Sequence, residues 1–470
     1  MLIRGAEVEG YAPLDVRIAG ERIVAIAAGL PRLSGEPVFD ARGGALLPGL
    51  HDHHVHLHAL AAADTSVMCG PPAVASADDL GAALRSAAAS GRGWLRGVAY
   101  HESVAGPLDR DRLDAWVADR PLRVQHRSGA LWMMNSTAVL ELERGGGALP
   151  DGAERDARGR ATGRFFRADT WLRWSLSDAA PPLAAVGARL ASFGVTGLTD
   201  ASAGNDAAAL RHLADAADAG ALPQRLLVMG EPGLPEPASA RVARGAVKAL
   251  LDEPELPEFD AFCARIRAAH DEGRALAVHC VTRAQAIFAA AAFREAGTRR
   301  GDRLEHASIA PPELVQLVAG LRLAVVTQPH FIAERGDDYR RDVAREDVPW
   351  LYRARGWLVA GVPLAAGSDA PYGSPDPWRA IASAVQRASP SGARLGPGEA
   401  LSPEQALALY TATPDDLGGP PSRVATGAVA DLCLLDRPWR AARERLSSDD
   451  VLATWCAGRP AWARDGHALA

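Results

Sequence analysis

Pro48-Gly-Leu-His-Asp-His-His-Val-His-Leu-His58 places five of the chain's 13 histidines between positions 51 and 58. Residues two apart on a strand share a face, so His54 and His56 are expected to point the same way from a strand at about 44–56. Two imidazoles on one strand end make a good metal chelate. The internal position excludes a purification tag.

Downstream, from about residue 193, strand-like apolar runs alternate with alanine-rich helical stretches. The runs are Val195-Thr-Gly-Leu-Thr, Arg225-Leu-Leu-Val-Met, Ala246-Val-Lys-Ala-Leu-Leu, Ala275-Leu-Ala-Val-His, Arg303-Leu-Glu-His, Leu323-Ala-Val-Val-Thr and Pro363-Leu-Ala-Ala-Gly-Ser-Asp. Helices are expected over 206–220, 258–272 and 283–296. With the histidine strand this makes eight strands, and the alternation predicts an α/β fold, a (β/α)8 TIM barrel spanning 48–424. Residues 59–190 are too many for one crossover and are read as an insertion after the first barrel strand, helical in parts. Short strands at both ends, around Val16–Ile26 and in Asp431–Asp436 and Val451–Trp455, predict that 1–47 and 425–470 join in one small β-sandwich domain.

Lys248, His279, His306 and Asp369 sit at the ends of four of these runs, at intervals of about 30, about 30 and about 60 residues, or one, one and two βα units. That phase puts them at the same end of successive strands, and in such barrels the carboxyl ends build the active site. Lys248 is also the one lysine among 51 basic residues. Arginine stays protonated, whereas a buried lysine can lose its proton and use the free amine.

Composition narrows the function. Apolar residues make up 48% and charged residues 23% of 470, which fits a large buried core. A net charge of −6 and a pI near 6.1 carry no footprint for nucleic acid or an anionic membrane surface. No apolar run reaches a membrane span, and the start lacks a signal-peptide profile. Cys69, Cys263, Cys280, Cys433 and Cys456 are odd in number and scattered, a pattern of reduced thiols that predicts a cytoplasmic protein.

Leu47-Pro-Gly-Leu-His-Asp-His-His-Val-His-Leu, Gly245-Ala-Val-Lys-Ala-Leu-Leu-Asp-Glu, Ala277-Val-His, Arg303-Leu-Glu-His-Ala, Ala366-Gly-Ser-Asp-Ala-Pro and Gly427-Ala-Val-Ala-Asp-Leu-Cys-Leu-Leu-Asp together resemble the amidohydrolase superfamily over essentially the whole chain. The resemblance is closest to amidohydrolase family 3, the branch of YtcJ-like proteins and N-substituted formamide deformylases. It implies that His54 and His56 hold the more buried of two divalent metals and that His279 and His306 hold the second. Lys248 would be the bridge, carrying a carbamate derived from CO2, and Asp369 the carboxylate of the last strand. Zinc is the default metal for imidazole and carboxylate ligands.

The implied reaction is hydrolysis of a non-peptide C–N bond (an N-acyl or N-formyl amine, a carbamate or a cyclic amide) by a metal-bound hydroxide, with Asp369 as general base and then acid. The expected partner is a small-molecule substrate; barrels of this kind often form homodimers, though no residue here marks an interface. Asp52 and Glu305 adjoin the histidines and are candidates to orient them. Trp94, Tyr100, Trp132, Trp171 and Trp174 in the insertion are candidates to wall a pocket; Tyr100, Trp132 and His330 are the substrate-binding candidates. Arg335 lies on the same expected loop as His330. The resemblance departs at Ala130, where the branch usually carries histidine; His126, nearby, reads as exposed or capping. The alternatives are a mononuclear deaminase, which would need a glutamate three residues after the strand-five histidine, and a barrel without catalysis.

Overall fold

Eight parallel strands form the central sheet: β1 (Leu50–Val55), β2 (Val195–Asp200), β3 (Arg225–Gly230), β4 (Val242–Leu250), β5 (Leu276–Cys280), β6 (Arg303–His306), β7 (Ala324–Thr327) and β8 (Leu364–Ala366), each hydrogen-bonded to the next. The computed structural model describes residues 1–90, 92–144, 148–176, 180–417 and 419–464, without the side chains of 12, 170, 173 and 174. Strands β2, β6, β7 and β8 are buried at every position; β7 and β8 accordingly read as near-continuous apolar runs, whereas β2 and β6 bury polar side chains as well. Two backbone hydrogen bonds join the first strand to the last: Asp369 N donates to His54 O at 2.7 Å, and His56 N to Ala370 O at 2.9 Å. The expected barrel is thus present, and candidate ligands form its seam.

Gly367 sets how closely β8 approaches β1. A Cβ there would lie 2.4 Å from His54 N and 2.5 Å from His54 Cβ. Gly367→Ala is expected to cost about 1–3 kcal/mol, the range for overpacking a tight core, and to displace His54; a lowered urea midpoint would show it.

The strand expected at 44–56 divides at Gly49. Ala45–Pro48 joins a second sheet, and only Leu50–Val55 enters the barrel. That second sheet draws strands from both ends of the chain in the order Arg459–Ala463, Val451–Cys456, Leu432–Leu435, Ala45–Pro48, Leu2–Val8, Tyr11–Ala19 and Arg22–Ala27, with Val38–Asp40 pairing Leu2–Val8. The expected sandwich takes the form of this one sheet around a shared core of Ile3, Val16, Ile23, Phe39, Leu432 and Trp455.

By compactness the chain divides into Met1–Leu57 with Leu183–Ala470, and His58–Pro182. The second unit has its own six-stranded sheet, in the order Ala153–Arg155, Ala161–Phe166, Leu131–Met134, Leu122–His126, Leu95–Tyr100 and Val67–Met68. Its short runs, such as Leu131-Trp-Met-Met, do not distinguish strand from helix by periodicity; beside helices such as Ala77–Ala89 and Ser136–Arg144 they form the strands of a mixed α/β unit. All five cysteines are buried and unpaired. No helix among the described residues is long and apolar enough to cross a membrane.

Candidate metal centre

A β-bulge shapes the histidine strand. Asp52 of β1 lies opposite Leu198, and Val55 opposite Asp200, so three residues of β1 advance against two of β2. Two imidazole pairs result: His51 and His53 with ring centroids 4.5 Å apart, and His54 and His56 at 5.2 Å. His51 Nε2 meets Thr199 Oγ1 at 2.8 Å and is held by the barrel wall.

His54, His56 and Asp369 converge: one potential ligand atom from each lies within 4.8 Å of the others. Asp369 Oδ1 is 3.1 Å from His56 Nε2 and 3.5 Å from His54 Nε2. His306, from β6, brings its ring to 4.8 Å from that of His54 and 4.5 Å from that of His279 on β5. Two of these residues hold left-handed backbone without being glycine, His306 at φ 68° and Asp369 at φ 52°. Such strain costs about 1–3 kcal/mol per residue and collects at functional sites.

Three of the histidines have Nδ1 tied to a neighbour, which turns Nε2 toward the site. His54 Nδ1 lies 2.6 Å from Glu305 Oε2, His56 Nδ1 3.0 Å from Ser202 Oγ, and His306 Nδ1 2.7 Å from Gln328 Oε1. Ser202 has no motif to announce it; its only signal is a polar residue just past the end of β2. Asp52 orients backbone rather than a ring, its Oδ1 accepting from His54 N at 3.1 Å and Ser368 N at 2.9 Å. Burial pushes the Asp52 carboxyl up to about 6.

Burial lowers His54 to about 3, so it is a neutral imidazole, the form that can ligate. Burial alone would raise Asp369, but the hydrogen bond with His56 and the nearby His306 and His54 hold it well below the usual carboxylate range. Lys248, on β4, is 1% exposed, and its Nζ has no hydrogen-bond partner among the described residues; Glu305 Oε1 lies 3.8 Å away. Burial lowers its amine to about 8, against the opposing pull of Glu305. Imidazole rings fixed by hydrogen bonds, an ionised carboxylate and an unsatisfied buried amine are a donor set that fits divalent cations.

The substrate-binding candidates fare differently. Tyr100 is fully buried in the insertion's own core, its hydroxyl donating to Gly106 O. Trp132 is 4% exposed in a second core of the same unit and donates from Nε1 to Asp169 Oδ1 at 2.9 Å. Packing and internal hydrogen bonds account for both, and neither offers a surface to a ligand. Trp94 bonds Glu141 and Trp171 stacks on Phe165, while the Trp174 side chain lies outside the described residues. His330 is buried with Nε2 2.9 Å from Ser368 O, so it supports the backbone beside Asp369. His126 bonds Glu102 through Nε2 at 3.0 Å and caps its own turn by accepting from Ser128 N; Ala130 follows in that turn.

Residues 37–461 match the model of the amidohydrolase family. N-substituted formamide deformylase of Arthrobacter pascens is 28% identical over 91% of this chain and 90% of its own. The Bacillus subtilis (strain 168) protein YtcJ, named as an amidohydrolase, is 27% identical over 78% of this chain and 79% of its own. A solved structure, an uncharacterized metal-dependent hydrolase from Pyrococcus horikoshii, aligns with a TM-score of 0.72 at 21% identity over 93% of this chain and 96% of that one, and shares the fold. The chain belongs to the amidohydrolase family, and it is a hydrolase acting on carbon–nitrogen bonds.

Proposed function

We propose that the protein hydrolyses a non-peptide amide-type C–N bond, in an N-acyl or N-formyl amine, a carbamate or a cyclic amide. The observation that carries this proposal is the meeting of His54, His56 and Asp369, with His306 and His279 adjoining, at the carboxyl ends of the barrel strands. His54, His56, His279, His306 and Asp369 would hold two divalent ions, with zinc the best match to these donors, and Lys248 as its carbamate would bridge them. When bound, such ions make a hydroxide available near neutral pH and polarise a carbonyl oxygen.

The chain's own residues supply the rest. Asp369, held ionised between two imidazoles, takes the proton of the attacking water and returns it to the leaving nitrogen. Its seam hydrogen bond to His54 O fixes that carboxylate's backbone, so base and histidines keep one geometry. Ser202, Gln328 and Glu305 hold the rings against rotation. The likeness to an N-substituted formamide deformylase supports an N-formyl or N-acyl amine as the substrate class.

Deamination loses support at Thr282, three residues after His279. It is no carboxylate, and its hydroxyl caps the helix Arg283–Ala296 by accepting from Gln285 N at 3.2 Å.

Chelation is expected to abolish hydrolysis of N-formyl and N-acyl amines and to lower the melting temperature, because an ion bound only by the folded chain stabilises it. Added zinc should restore both. A metal-loaded enzyme inert on N-formyl amines, N-acyl amines, carbamates and cyclic amides would refute the proposal.

A further inference from the structure

Glu305 adjoins His306 in sequence, yet its carboxylate serves a different histidine. The side chain is fully buried: Oε2 lies 2.6 Å from His54 Nδ1, and Oε1 accepts from Arg303 Nε at 2.6 Å. Arg303, 3% exposed, also donates from Nη2 to His53 O at 3.2 Å. This buried path leaves β6 and lands on β1, which is not its neighbour in the sheet.

We propose that Glu305 and Arg303 are a positioning pair that decides which nitrogen of His54 faces the metal site. A carboxylate can only accept, so Glu305 requires the proton of His54 on Nδ1 and leaves the lone pair on Nε2, the atom 3.5 Å from Asp369 Oδ1. Arg303 balances the Glu305 charge in a dry interior, where a lone carboxylate would be costly. At Nδ1, His56 and His306 are held by a neutral hydroxyl and a neutral amide, and of the three His54 alone has an ionic acceptor at that nitrogen, the stronger kind. Both Glu305 oxygens are occupied, which makes it a support for the ligands rather than one of them.

An amide cannot replace it. In Glu305→Gln one oxygen must choose between two donors, Arg303 Nε–H and His54 Nδ1–H. If the oxygen turns to Arg303, the amide NH2 faces His54 and selects the tautomer with its proton on Nε2, the wrong nitrogen for a ligand. Removing the competitor in Glu305→Gln/Arg303→Met frees the amide oxygen to face His54 again.

This inference rests on His54 being a metal ligand. The test compares the full-length wild type, Glu305→Gln and Glu305→Gln/Arg303→Met. Zinc affinity is read by competition with a chromophoric chelator, and the His54 tautomer by 15N NMR of the metal-free proteins. Expected are Nδ1 protonation in the wild type, loss of that tautomer with zinc affinity weaker by about 10–100-fold in Glu305→Gln, and recovery of most of both in the double variant. Wild-type affinity and tautomer in Glu305→Gln would overturn the proposal, as would a double variant no better than the single. If Glu305→Gln does not fold, Arg303→Lys takes its place, with zinc affinity expected to weaken several-fold and an unchanged affinity counting against the pair. A wild type that binds no zinc would instead refute the proposed function, while the metal-free tautomer would still report on Glu305.

Discussion

Lys248→Met is expected to melt higher than the unmodified, metal-free wild type and to be nearly inactive. Burial lowers the Lys248 amine from its ordinary 10.5 to about 8, so below pH 8 the folded chain carries a buried ammonium that it disfavours. The gap corresponds to about 3 kcal/mol at roughly 1.36 kcal/mol per pH unit. Between pH 8 and 10.5 the unfolded chain binds the extra proton, so wild-type stability rises with pH across that window. The advantage of Lys248→Met in urea unfolding should therefore be full at pH 7 and shrink as pH approaches 10.5. With metal supplied the order reverses: the variant should lose at least one ion and about a thousandfold or more in kcat/KM, roughly 4 kcal/mol of transition-state stabilisation. Lys248→Arg should lose activity equally, since a guanidinium cannot form the carbamate. A lysine kept merely as packing would give the opposite: little loss of rate with methionine, and no gain in stability.

Asp369→Asn is expected to lower kcat about 10²–10⁴-fold, the range for removing a general base and acid. Asparagine keeps the size of the side chain and leaves the backbone seam to His54 O intact, so unfolding midpoints of the metal-free protein should change less than the rate does. What it removes is the ionised oxygen lying 3.1 Å from His56 Nε2. Asp369 is held well below the usual carboxylate range and stays ionised through mildly acid pH. Loss of wild-type activity near pH 5–6 should therefore follow metal release rather than Asp369 protonation, and extra zinc should shift the acid limb downward. KM should rise little if Asp369 acts mainly on the reacting bond.

The barrel was legible because parallel strands buried on both faces are predominantly apolar, as in Ala324–Thr327 and Leu364–Ala366. The phase of the candidate residues was legible for a related reason: each βα unit returns the chain to the same rim, so Lys248, His279 and His306 recur at a similar spacing. The division at Gly49 was not, since one glycine inside an apolar stretch marks a bulge, a turn or a close approach equally well. The insertion's sheet was hidden in runs of two to six residues. Ser202 and Gln328 are ordinary neutral side chains that matter only through what the fold sets beside them. Neighbouring residues on a strand diverge, so Glu305, read as an orienter by its adjacency to His306, instead reaches His54. Tyr100 and Trp132 were candidates by residue type alone, and the structure packs both into the insertion's own cores.

Anomalous diffraction at the zinc edge from crystals of the metal-loaded full chain tests the centre most directly. Two peaks are expected, one within bonding distance of His54, His56 and Asp369 and one within bonding distance of His279 and His306, with carboxylated density on Lys248 Nζ reaching both. An absence of peaks among these six side chains, with metal bound elsewhere or nowhere, would contradict the proposed catalytic centre.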